Sequence, residues 1–203
     1  MSQVAVHGPQ TTSKGRYRYT TVDIVVIAVI GVVFGILNSP MGVIYQAFQA
    51  AFGPIGSNIW GVFDISQVLA IYIVRKPGAA FINMMINGLV QMLSGNPAGA
   101  ITLGWGFTQG VGTEVAFAIF RYRRYDWVAC FLGGALANVF SNAWTYYIYG
   151  FGKAGAGQLI LGTVVGFFTY GVMSGLIAFA IGTFLKRAGV LKAFKAGEQP
   201  QAA

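Results

Sequence analysis

Twelve of the 13 Lys and Arg residues fall into four short clusters: Lys14/Arg16/Arg18, Arg75/Lys76, Arg121/Arg123/Arg124, and Lys186/Arg187 with Lys192 and Lys195. The stretches between them, roughly forty-five to sixty residues each, carry almost no charge. Each has room for two apolar helices of about 20 residues and a connecting loop. Lys and Arg collect at cytoplasmic membrane edges, so the clusters belong on one side and only Lys153 falls in an outer loop. The pattern predicts an all-α, polytopic membrane protein: a six-transmembrane-helix bundle with both termini cytoplasmic.

Composition agrees. Only 9% of residues are charged, where a soluble domain carries about 25%. The net charge of +8 does not point to nucleic acid, because the bases sit in short groups at span ends. Cys130 is the lone cysteine and His7 the lone histidine, so neither a disulfide framework nor a transition-metal cluster is expected. Residues 1–19 read as a disordered cytoplasmic tail without the apolar run of a signal peptide. The membrane domain is expected over 20–187, and a basic, frayed cytoplasmic tail over 188–203.

The first span should run from Thr21 to Leu37 and stop at Asn38-Ser39-Pro40. Residues 41–53, between Pro40 and Pro54, then read as a short outer helix over the outer face or a partly buried connector. Span two should cover 57–74, span three 77–94, span four 101–122, span five 126–149 and span six 158–185. Gly104, Gly106, Gly110 and Gly112 make the first half of span four a candidate for distorted backbone, which is tolerated in a membrane where it lines a cavity. Asp23 and Asp126 open helices at the cytoplasmic edge and suit caps.

Two acids sit within spans, Asp64 and Glu114, with no Lys or Arg at matching depth. A charge at the bilayer centre costs about 2.5–3.5 kcal/mol on insertion scales. The acids are therefore bonded to amides or backbone, protonated, solvated, or awaiting a cation from outside. Asn83, Asn87 and Gln91 form a stripe on span three, as do Asn138, Asn142 and Tyr146 on span five. Trp60, Asp64 and Gln67 share a face of span two, and Trp105 lies four residues from Gln109. One such stripe is commonly interhelical glue. Several of them, together with acids and tryptophans, predict a polar pocket. Its expected members are Glu114, Trp105, Asp64, Trp60, Asn87, Gln91, Gln109, Asn142 and Tyr146. Carboxylates, amides and aromatic walls without a base suit a flat solute that is cationic or bears an amine. Ala28, Gly31 and Gly35 make a small-residue strip on span one, suited to internal packing or to contact with another subunit. No catalytic cluster is visible, so an enzyme is not expected, and no cofactor is indicated.

These features resemble the substrate-binding S components of energy-coupling factor (ECF) vitamin transporters. Within that group the chain is similar to the YkoE type, associated with thiamine or its hydroxymethylpyrimidine moiety. The stretches that carry the likeness are Thr21-Val22-Asp23-Ile24, Gly61-Val62-Phe63-Asp64, Ile86-Asn87-Gly88, Gly104-Trp105-Gly106 through Gln109-Gly110, and Thr113-Glu114. The resemblance implies a multi-pass subunit in the plasma membrane of a prokaryote that captures a vitamin for an ABC-type importer. It also implies as partners a transmembrane coupling subunit, docked on Ala28/Gly31/Gly35, and cytoplasmic ATPases. The chain has no Walker A sequence of its own. The competing readings are an S component for another vitamin and the permease of a cobalt or nickel uptake system.

Overall fold

The computed structural model describes residues 18–194. Lys14, Arg16, His7 and Lys195 lie outside them, with nearly all of the expected N-terminal tail and the last part of the C-terminal one. Six helices account for the described chain, with no strand among the described residues. They are α1 (Thr21–Gly56), α2 (Gly61–Val74, whose first turn Gly61–Asp64 is 3-10), α3 (Ala79–Leu93), α4 (Ile101–Ile119), α5 (Trp127–Ile148) and α6 (Ala156–Arg187). A π turn, Gly171–Leu176, interrupts α6.

The burial pattern is that of a soluble protein turned inside out. Val25, Val29, Val33 and Ile36 of α1 and Ile160, Val164 and Phe168 of α6 are exposed, whereas Asn58, Asp64, Gln67, Asn83 and Asn87 are fully buried. Water around such a surface would penalise it, while hydrocarbon would not. By length and composition alone, α1 and α6 are the two helices able to cross a bilayer.

α3 packs between α1 and α4, α4 against α5, α5 against α6, and α6 returns to α1. α2 runs through the middle of that ring, and every residue from Ile65 to Val74 is buried. A helix that is apolar all round has no face to offer solvent, and its place is the centre of a bundle. Around it lie Ile27, Phe117, Ala129, Cys130, Ala178 and Leu191. Leu191 corrects the expectation of a frayed tail at its start: residues after α6 fold back through a 3-10 turn and close the core.

The basic clusters within the described residues gather at one end. Lys76 is buried, donates to the Arg18 carbonyl at 2.8 Å, and pairs with Asp23. Asp23 also completes a capping box with Thr20 at the start of α1. The Arg75 guanidinium lies 5.0 Å from the Tyr125 ring centre. Asp126 caps α5, accepting from the Ala129 amide at 3.0 Å.

Two expectations about irregular backbone are corrected. α1 does not stop at Asn38-Ser39-Pro40. It continues through Pro40 to a kink at Gly53 (φ 55°, ψ −132°), so residues 41–53 extend α1 and are not a separate helix. In an apolar medium there is no water to take up backbone groups freed by unwinding, so the helix tolerates one proline. Asn38 and Ser39 meanwhile bind other elements, the Phe63 carbonyl at 3.1 Å and the Ser94 carbonyl at 3.1 Å.

The first half of span four is regular helix. Its glycines serve contact: a Cβ on Gly106 would lie 2.8 Å from the Met84 carbonyl, and one on Gly112 would lie 2.5 Å from that of Leu136. The irregular segment is instead 57–64, at the start of span two. Side chains satisfy its backbone: Thr169 bonds the Asn58 carbonyl and Ser174, on the π turn, that of Gly61.

Candidate functional site

Because the well-packed helix of α2 begins only at Ile65, the bundle axis beyond it, at the end away from the basic clusters, is not filled. A cleft occupies that space, with about 540 Å³ free of protein atoms when its open mouth is counted. α1 contributes Gly42, Tyr45 and Gln46, α3 contributes Gln91, and the α3–α4 turn contributes Asn96. From α4 come Trp105 and Gln109, from α5 Asn138, Ser141, Asn142 and Thr145, and from α6 Tyr170. Ser57, Phe63, Met84 and Ala98 complete the wall. None of the lining residues is an acid or a base.

Trp105 is held in place. Its indole N–H donates to the Thr145 hydroxyl at 2.8 Å, the Tyr45 ring meets it edge-on at 5.6 Å, and Tyr149 stacks at 6.1 Å. Four residues on, the Gln109 side-chain carbonyl is buried and has no hydrogen-bond partner. A buried amide oxygen left unpaired costs about 1–3 kcal/mol, which makes it a ready acceptor for a ligand N–H.

Six amides in and behind the wall form two relays. On α3, Asn96 donates to Gln91 at 2.9 Å, Gln91 to Asn87 at 2.7 Å, and Asn87 to the Ser66 hydroxyl at 3.1 Å. On α5, Asn142 donates to Asn138 at 3.2 Å and Asn138 to Asn58 at 2.7 Å. Asn58 in turn reaches the Pro54 carbonyl at 2.7 Å and the Tyr146 hydroxyl at 3.2 Å. Such chains fix which amide edge faces the cavity.

Of the nine residues expected in the pocket, Trp105, Gln91, Gln109 and Asn142 line it. Asn87 and Tyr146 stand one layer back, orienting Gln91 and Asn58. Trp60 packs on Phe48 at 5.2 Å, outside the lining. Glu114 is elsewhere, near the basic end. One of its oxygens accepts from the Ala80 amide at 2.8 Å and the Phe81 amide at 3.4 Å, and the other from the Tyr122 hydroxyl at 2.9 Å. It caps the first turn of α3, whose own N-cap, Gly78, has no side chain to do so. Tyr19 senses it there: burial first, then Glu114 and Asp23, push the Tyr19 phenol up to about 12. Asp64 is fully buried behind the Phe63 wall, and both its oxygens lack a partner.

The glycines of the α1 strip serve internal packing, one of the two uses expected of it. A Cβ on Gly31 would lie 2.9 Å from the Asn83 carbonyl, and one on Gly35 would lie 2.7 Å from Val90 Cβ. Both glycines are spent on the α1–α3 contact, and Ala28 beside them is half-buried. Sequence reasoning missed Tyr45, Gln46 and Asn96 as wall residues, the first two because an outer helix was drawn where α1 continues. Phe63, Met84, Ser141, Thr145 and Tyr170 carried no sequence signal that sets them apart from ordinary span residues.

Residues 22–140 match a protein family described as "ABC-type cobalt transport system, permease component". The chain is 30% identical over 178 residues to the "Putative HMP/thiamine permease protein YkoE" of Bacillus subtilis (strain 168), covering 87% of this chain and 89% of that one. A solved structure described as "Crystal structure of an S-component of ECF transporter" superposes with a TM-score of 0.84 at 30% identity, over 89% of this chain and 92% of that chain. Five helices around a buried sixth thus have a solved counterpart in fold: the chain belongs to this family of transporter membrane components, of YkoE type, and is an S component of an ECF transporter.

Proposed function

We propose that this protein captures thiamine, or its hydroxymethylpyrimidine moiety, and delivers it to an energising module made of a transmembrane coupling subunit and cytoplasmic ATPases. The observation that carries this reading is the pairing of a fixed indole, Trp105, with an unpartnered buried amide oxygen, Gln109 Oε1, in one cavity. A flat aminopyrimidine stacks on the first and donates its exocyclic amine to the second. The amide edges of Gln91 and Asn142 suit ring nitrogens. The name of the Bacillus subtilis relative supports the same substrate class.

This pocket differs from the one expected from sequence, because Glu114 is not in it. Recognition of the pyrimidine falls to amides and aromatic rings. The family description also names cobalt, which makes a metal permease the second reading. Such a site needs clustered His, Cys, Asp or Glu, and among the described residues no three of them come together.

Titration of the detergent-purified protein with thiamine, hydroxymethylpyrimidine, riboflavin, biotin and Co²⁺, followed by tryptophan fluorescence, tests the proposal. Saturable quenching by thiamine or the pyrimidine is expected, with Trp105→Ala and Gln109→Ala each weakening it by about tenfold or more, since each 1.4 kcal/mol is a factor of ten. Quenching by Co²⁺ or by another vitamin alone would transfer the site to that ligand.

A further inference from the structure

Asn142 lines the cavity, and its surroundings decide which end of its amide a ligand meets. The chain of decisions starts at the Pro54 backbone carbonyl, which can only accept. It takes a hydrogen from Asn58 Nδ2 at 2.7 Å, so Asn58 turns its Oδ1 to Asn138, whose Nδ2 donates to it at 2.7 Å. Asn138 is left with its Oδ1 for Asn142, whose Nδ2 donates at 3.2 Å. An asparagine amide has one accepting and one donating end, so a polarity imposed at Pro54 passes unchanged through three side chains.

A second anchor agrees with the first. The Thr163 hydroxyl donates its hydrogen to the Leu159 carbonyl at 2.9 Å and is left to accept from Asn142 Nδ2 at 3.3 Å. Both hydrogens of that nitrogen are thus engaged by the protein, and Oδ1 is the end left for the cavity. All three asparagines are buried. Gly166 of α6 makes room for them, since a Cβ there would strike the side-chain oxygens of Asn138 and Asn58.

Gln109, on α4, is the contrast. Trp105 bonds Thr145 and Gly112 abuts Leu136, so α4 and α5 run antiparallel and Gln109 is level with Ser141, next in the chain to Asn142. Its oxygen has no partner, and among the described residues no hydrogen bond fixes its amide. Gln109 can therefore turn either end to a ligand. Asn142 cannot.

We propose that the Asn58–Asn138–Asn142 relay sets the specificity of the pocket: it holds Asn142 as a fixed acceptor, so the ligand edge beside α5 must present N–H, and a ligand of the same shape with a carbonyl there is refused. The proposal rests on the thiamine/pyrimidine reading and narrows it to aminopyrimidines, whose exocyclic amine has one hydrogen for Gln109 and a second for Asn142. A ring nitrogen meeting Asn142 must itself carry hydrogen. Asn58 and Thr163 lie outside the lining and act as positioning residues. A buried acceptor set against a second acceptor weakens binding by about tenfold to a hundredfold.

The probes are hydroxymethylpyrimidine and its oxo counterpart, in which a carbonyl replaces the amine, titrated against the full-length purified protein. Wild type should prefer the amine by about thirtyfold. Asn142→Leu should bring the two within about threefold, whereas Gln109→Ala should weaken both and keep a preference of about tenfold or more. Asn58→Leu combined with Thr163→Val frees both anchors without touching the lining and should cut the preference to about fivefold or less. A purely structural role would leave that ratio alone, because a loosened fold weakens both probes alike. If the double variant does not fold, the contrast between Asn142→Leu and Gln109→Ala still decides. Three results would each overturn the proposal: equal wild-type affinity for the two probes, a preference lost in Gln109→Ala but kept in Asn142→Leu, or equal losses of both probes in a folded double variant. Wild-type protein that binds neither probe nor thiamine removes the substrate reading and this inference with it, whereas equal binding of the two probes removes this inference alone.

Discussion

Glu114 shows how the same residue reads differently from its sequence and from its surroundings. An acid in an apolar span, with no base at its depth, looks like a counter-charge waiting for cargo. In the fold its partners are the amides of Ala80 and Phe81 and the hydroxyl of Tyr122. Two of the three are backbone groups, which leave no mark in the sequence. Glu114→Ala is expected to lower stability by about 2 kcal/mol, since hydrogen bonds to charged groups contribute about 1.5–3 kcal/mol each and this site is partly exposed. For a chain of this size that is a melting temperature lower by about 4–8 °C. Thiamine affinity should stay within about twofold. A variant with unaltered melting and lost binding would put Glu114 back in the recognition site. Trp105 and Gln109 were readable because their four-residue spacing on a helix sets them on one face whatever the tertiary detail.

Elements were legible where charge marks their ends. The turns at Arg75-Lys76 and Arg121–Arg124, and the cap at Asp126, separate helices close to where the basic clusters divide the sequence. Glycine and proline were the ambiguous signals. Four glycines in α4 could signify loose backbone or intimate contact, and composition does not separate the two. Contact is what they serve, so Gly112→Leu should collapse the yield of folded monomer, as its Cβ would strike the Leu136 carbonyl of α5. Gly152→Leu, with nothing within 4 Å of its added Cβ, should express normally in the same size-exclusion assay.

The start of α5 adds a pH test. Burial raises the Asp126 carboxyl, but the Ala129 amide and Arg124 together outweigh it and hold it below its ordinary value. A lowered value means the cap is in force above the free carboxyl's pKa of about 3.9 and fades as pH falls beneath it. Amide exchange at Ala129 should accelerate below that pH in wild type, and Asp126→Ala should exchange fast throughout. A flat wild-type profile would contradict the cap.

The whole molecule has a top and a bottom. We infer that the basic end faces the cytoplasm and the pocket opens outward, as basic residues favour the inner edge. Cys130 is completely buried and should give little background, so cysteine-reactive labels can test this directly. A cysteine at Lys153 should react with an impermeant maleimide added to intact cells, and one at Arg123 only after permeabilisation. The reverse pattern would invert the topology. At this scale the sequence was least informative about the cavity, which exists because the elements leave a gap above α2, and no single segment records that gap.

α1 has one more consequence. From Thr21 to the kink at Gly53 it is a single rod of about 48 Å at 1.5 Å per residue, while the hydrocarbon layer spans about 30 Å. Polar ends could let the surplus stand in water, but its far half presents Val43, Ile44 and Phe52 outward. An oily mast taller than its berth must lean or thicken the layer around it, so the protein carries a built-in slant before any cargo arrives.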